Sequence, residues 1–131
     1  MNTSLIGLEA ANKMLPFLKS IVKDIVKLWD SIIKQRKVFE ETKAKGEYTK
    51  DIKSSLNDLI DTINQYIKEV ESLGCFIEEF KRGIVNIPSL CCGRKIFLTI
   101  QPMEEAEIGF WHELDETSAD KQPIGKLNIL E

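Results

Sequence analysis

The sequence predicts an α+β chain: a long antiparallel helical hairpin followed by a small C-terminal antiparallel β-sheet. Three observations predict it. A heptad-like apolar seam runs through residues 8–42, and a second with the same spacing runs through 52–73. A short, glycine-containing turn joins them. After Gly74 the apolar period drops from three-and-four to two, as expected where helix gives way to strand.

The first seam comprises Leu8, Ala11, Leu15, Leu18, Val22, Ile25, Trp29, Ile32 and Phe39, interrupted only by Arg36. Flanking rows, Met14, Ile21 and Leu28 on one side and Val26 and Ile33 on the other, widen it. A wide stripe needs more than one packing partner. Pro16 removes a backbone donor and crowds the carbonyl four residues earlier, so a kink or break is expected there.

Lys43 to Tyr48, with Gly46, reads as the turn. Thr49 is placed to cap the second helix through its hydroxyl, and Asp51 suits the positive end of that helix dipole. The second seam is Ile52, Leu56, Leu59, Ile63, Tyr66, Val70 and Leu73, stopped by Gly74. At ~1.5 Å per residue the first helix is roughly 50 Å long and the second roughly 37 Å. The short turn makes them antiparallel and sets residue 73 beside roughly residues 18–20, leaving Leu8 to Leu18 for the β region to cover.

That region should contain a strand from Cys75 to Phe80, a turn at Lys81-Arg82-Gly83 and a short extended piece, Ile84 to Ile87, ended by Pro88. Further strands are expected at Lys95 to Gln101 and Glu107 to Leu114, with one more short strand at Lys126 to Leu130. The whole chain, 1–131, reads as a single domain.

Composition bounds the function. Forty-three per cent of residues are apolar and 30% charged, with a net charge of −3. Nothing global recruits nucleic acid. No apolar run approaches the ~18–20 residues of a membrane span, and Met1 to Leu8 lacks the basic start and apolar run of a signal peptide. Three cysteines, two of them adjacent, make no disulfide framework, so a reduced, cytoplasmic setting is expected. Charge is uneven. The first helix carries Lys13, Lys19, Lys23, Lys27, Lys34, Arg36 and Lys37, whereas the stretch between Lys95 and Lys121 holds seven acids and no base. These are solvated faces, or the acidic segment docks on the basic helix.

His112 is the only histidine. On a regular strand it shares a face with Ile108, Phe110 and Leu114, opposite Glu107, Gly109, Trp111 and Glu113. Either it is a satisfied, partly buried ring, or it lines a pocket as ligand or proton carrier. Glu107 and Asp115 offer oxygen donors, but a regular strand projects them away from His112, so no metal and no cofactor is expected. Cys91 and Cys92 precede Arg94 and Lys95, cations able to lower a thiol pKa; a nucleophilic role would need a base such as His112 within reach, and ordinary packing is the simpler reading.

The segments Gly83-Ile84-Val85-Asn86-Ile87-Pro88, Gly93 to Ile100 and Glu107-Ile108-Gly109-Phe110-Trp111-His112 resemble the DUF2203 family, small bacterial and archaeal proteins of unknown function. Leu8 to Pro16 resembles its opening helix-and-proline motif. The resemblance implies this fold class, and places any chemistry around the Pro88 loop and the Trp111-His112 strand. Asn86 stands where the pattern has aspartate, and Thr117 to Lys121 replaces a glycine-rich stretch ending in arginine.

Two functions follow. The first is a non-catalytic, self-associating interaction module. A lone hairpin leaves part of its stripe exposed, each side chain forgoing about 1.5–3 kcal/mol of burial, and a second copy supplies the cover; a homodimer is expected, with the β region offered to an unknown ligand or protein partner. The alternative is a small-ligand-binding protein or enzyme using Glu107, Trp111, His112, Asp115 and Arg94.

Overall fold

The computed structural model describes residues 5–126, apart from Cys92. Helix α1 (Leu8–Ala44) and helix α2 (Lys50–Ser72) form the hairpin, and strands β1 (Phe76–Glu79), β2 (Ile84–Cys91), β3 (Arg94–Ile100), β4 (Phe110–His112) and β5 (Gln122–Pro123) follow. The five strands form one sheet in chain order, every pairing antiparallel. The expected α+β hairpin-and-sheet architecture is therefore what the chain adopts.

The two helices run side by side: Thr62 and Tyr66 of α2 line a groove with Asp24, Leu28 and Ser31 of α1. Gly74 ends α2 at φ +84°, a conformation glycine adopts without a Cβ clash. Thr49 does stand at the N-cap of α2, but its hydroxyl makes no capping bond.

The inner face of the sheet lies on the first half of α1. Val85, Ile87, Cys91, Ile96, Leu98, Ile100 and Trp111 point inward and join Ala11, Leu15, Leu18, Val22 and Ile25 in one core. Gly83 lets the β1–β2 turn press against α1: a Cβ there would lie 2.6 Å from Val22 Cγ1. Phe80 stacks on Trp29, ring centroids 5.0 Å apart. The side chain of Asn12 accepts the Ile108 N–H at 2.9 Å, tying the β3–β4 connection to α1. The wide stripe of α1 thus serves two partners, α2 and the sheet, and the turns from Leu8 to Leu18 are covered as expected.

Several expectations are corrected. α1 is not broken at Pro16, which lies inside it on the exposed side, where solvent can serve a carbonyl that has lost its helical donor. Pro88 does not end β2. The N–H and C=O of one strand residue point the same way, and the Pro88 carbonyl accepts the Ile6 N–H at 2.8 Å on the side where β1 has run out, so no ladder bond needed the missing donor. The last long strand shrinks to Phe110–His112, because Ala106 and Glu107 bend and Ile108 bonds to Asn12 instead. Among the described residues the sheet ends with Gln122–Pro123; of the strand expected at Lys126 to Leu130 only Lys126 is described, in a 3₁₀ turn, and residues 127–131 lie outside those described.

Candidate functional site

The outer face of the sheet carries no helix, yet much of it is buried. Register places Asn86 of β2, Thr99 of β3 and Phe110 of β4 in one row, and Pro88, Phe97 and His112 in the next. The loop after β4, with a short 3₁₀ turn at Ser118–Asp120, folds back over them. His112 is 0% exposed beneath it. Trp111, not His112, faces the helical core. The expected alternation holds within β4, where Phe110 and His112 share a face opposite Trp111, but Ile108, which precedes the strand, joins the core and so did not mark the inward face.

A hydrogen-bond network fills this layer. Glu78, at the irregular end of β1, accepts the Ser118 N–H at 3.0 Å and the Ser118 hydroxyl at 2.5 Å. The Asn86 amide also donates to it, at 3.0 Å. His112 Nε2 lies 3.1 Å from Asn86 Oδ1 and 3.3 Å from Glu78 Oε1, while Nδ1 lies 2.8 Å from the Glu113 carbonyl oxygen. Each neighbour of the ring nitrogens is an acceptor. With the Asn86 amide nitrogen committed to Glu78, its oxygen faces the ring, so a proton on either ring nitrogen finds an acceptor in place. Burial pushes the Glu78 carboxyl up. The Ser118 hydroxyl, the Asn86 amide, the Ser118 N–H and the charge of His112 together outweigh it and hold the group below its ordinary range.

This geometry latches the 113–121 loop to β1. It leaves neither ring nitrogen open to a substrate, so His112 is not placed as a general acid or base. Cys75 is no nucleophile either: burial raises its thiol to about 11, so it stays protonated. Cys91 is buried, and Cys92 lies outside the described residues.

The five sequence candidates do not converge. Trp111 is in the core at 4% exposure, and Glu107 and Asp115 are exposed on separate bends. Arg94 makes a two-pronged bond to Glu113, at 3.1 and 2.7 Å, and lies 5.9 Å from the centre of the Trp111 ring. Of the acidic segment, the loop with Glu113, Asp115, Glu116 and Asp120 folds over the sheet, while Glu104, Glu105 and Glu107 lie on the β3–β4 connection that Asn12 ties to α1. Sequence reading missed Glu78 and Ser118. The signal for Glu78 was faint: an acid inside a short strand, with an equally unusual asparagine in β2. Among the described residues no group of three or more His, Cys, Asp or Glu is set to hold a metal ion, and no helix is long and apolar enough to cross a membrane.

Beside the latch lies an open cleft of about 510 Å³ between the β1–β2 turn, the end of β3 and the 113–121 loop. Its lining includes Glu78, Glu79, Arg82, Thr99, Glu105 and Lys121. Thr99 is 2% exposed, and its hydroxyl has no hydrogen-bond partner among the described residues.

Fold and site together define a hairpin-and-meander α+β protein whose outer sheet face is closed by a carboxylate–imidazole latch. The chain belongs to the DUF2203 family: the family model described as "Uncharacterized conserved protein (DUF2203)" matches residues 5–124. No curated protein and no solved structure matches it.

Proposed function

We propose that this chain is a non-catalytic module that self-associates through the outer half of its hairpin. One observation carries the reading. Beyond Trp29 the sheet no longer covers α1, yet the apolar stripe continues. Ile33 and Val38 of α1 are each 44% exposed and Ile60 of α2 is 37% exposed, while Phe39, Ile52, Leu56 and Leu59 are only half-buried by the partner helix. Val26, Trp29 and Ile33 line a groove of about 640 Å³ on this flank.

Charge supports a second copy as the occupant. From Lys19 to Lys37, α1 carries six bases against Asp24 and Asp30, whereas α2 carries five acids against Lys50, Lys53 and Lys68. Two hairpins related by a two-fold axis can lay the basic helix of one on the acidic helix of the other. The satisfied His112 network speaks for the absence of catalysis.

Sedimentation velocity at tens of micromolar protein tests this. Twice the 15.0 kDa chain mass is expected, reverting to one chain in Ile33→Glu and Ile60→Glu, whose exposed positions leave the fold intact by circular dichroism. A wild-type monomer overturns the proposal.

A further inference from the structure

The latch-side cleft carries a second and independent inference. Its ionised groups can be accounted for in turn. Arg82 and Glu79 neutralise one another in a two-pronged pair, at 2.9 and 2.6 Å. Glu78 is saturated by Ser118, Asn86 and His112. Two charges are left. Glu105 commits one oxygen to the Gln101 N–H at 3.0 Å, which fixes the carboxylate in place. Lys121 holds its ammonium 4.3 Å from the centre of the Phe110 ring. These two groups line the same cleft but form no ion pair with each other among the described residues.

A cleft that presents one anchored anion and one anchored cation, not paired with each other, matches a ligand that carries both opposite charges. The Thr99 hydroxyl, in the lining of the same cleft, is a buried polar group with no partner among the described residues. A buried hydroxyl without a partner is costly and uncommon in native proteins. The volume, about 510 Å³, falls among those of small-molecule sites.

We infer that this cleft binds a small zwitterion of the α-amino-acid class. The ligand ammonium pairs with Glu105 and the ligand carboxylate with Lys121. This goes beyond self-association and does not depend on it, since the cleft is lined by sheet and loop residues and by none from the hairpin.

The test is a ¹H–¹⁵N NMR titration of the full chain with glycine, L-glutamine and L-serine, and with acetate and methylammonium as single-ended controls. Saturable shifts confined to Thr99, Glu105, Ser118 and Lys121 are expected for at least one amino acid, and acetate and methylammonium at the same concentration should give none. Glu105→Gln keeps an oxygen for the Gln101 N–H, and Lys121→Gln keeps the stem over Phe110, so both variants retain the fold. Each should bind the amino acid roughly tenfold or more weakly, the loss expected on removing one charge-assisted contact. Absence of saturable shifts with all three amino acids overturns the inference. So does equal binding of either single-ended control, or unchanged affinity in both variants.

Discussion

Replacing Gly83 by alanine separates two costs that coincide at the β1–β2 turn. Gly83 is buried at φ +69°, so any side chain pays the left-handed backbone penalty, about 1–2 kcal/mol. Its new Cβ would also lie 2.6 Å from Val22 Cγ1 and 2.9 Å from Val26 Cγ2, both on α1. Overpacking of this kind costs about 1–3 kcal/mol. The sum, roughly 2–5 kcal/mol, is large for one methyl group.

Gly46 supplies the control. It has nearly the same conformation, φ +71°, with nothing within 4 Å of an added Cβ. Gly46→Ala should therefore lose the backbone penalty alone, about 1–2 kcal/mol. Unfolding entropy of ~2.1 cal/mol/K per residue makes each kcal/mol worth roughly 3–4 °C in a chain of this length. Scanning calorimetry should then find Gly83→Ala lower than wild type by roughly 7–18 °C and Gly46→Ala by roughly half that or less. Equal losses in the two variants would refute the claim that the turn is clamped onto α1, because the packing part would be missing.

Two further outcomes are expected. The Glu78 carboxyl sits below its ordinary value of 4.5, so its stabilisation is complete above that value and is lost as pH falls through the lowered one; chemical denaturation between about pH 5 and 3 should show a steeper loss in wild type than in Glu78→Gln, and parallel curves would contradict the latch. Thr99→Val removes a buried, unpartnered hydroxyl with little change of shape, so the urea midpoint should rise by an amount equivalent to about 1 kcal/mol at constant m-value, and a fall would mean that the hydroxyl is bonded.

The hairpin was legible because its signal is local and long. Two seams of constant spacing and a glycine at either end of α2 decide helix, direction and length within the chain segment itself. The sheet was legible as a set of strands, but its faces were not. Face assignment needs an unbroken alternation, and β4 is three residues long, too short to carry one. The sequence pattern separates Trp111 from Phe110 and His112, as the sheet does, but presents the His112 face as the one that meets the helices. Pro88 misled for a related reason: whether a proline interrupts a strand depends on what lies on its N–H side, where β1 has run out and the contact comes from Ile6, more than eighty residues away in sequence. Glu78, Asn86, His112 and Ser118 span forty residues and meet only through register, so no spacing rule could have joined them.

The two faces of the sheet are consequently held by different forces. On the inner face every fully buried aliphatic side chain contributes about 1.5–3 kcal/mol, and loss of one leaves the rest in place. On the outer face the covering loop has little apolar surface to bury: its one large aliphatic residue, Leu114, is 49% exposed. Polar contacts must do the work there, and most of them converge on one carboxylate. A structure so dependent on a single group opens locally before it unfolds globally. The same loop carries Lys121, whereas Glu105 lies on the β3–β4 connection, which Asn12 and the Gln101 turn hold independently. A zwitterion spanning Glu105 and Lys121 would therefore bind only the latched loop and would add a second tie between that loop and the β3–β4 connection. Latch and ligand then stabilise one closed state, and whatever fraction of the loop is open reduces the apparent affinity by that fraction.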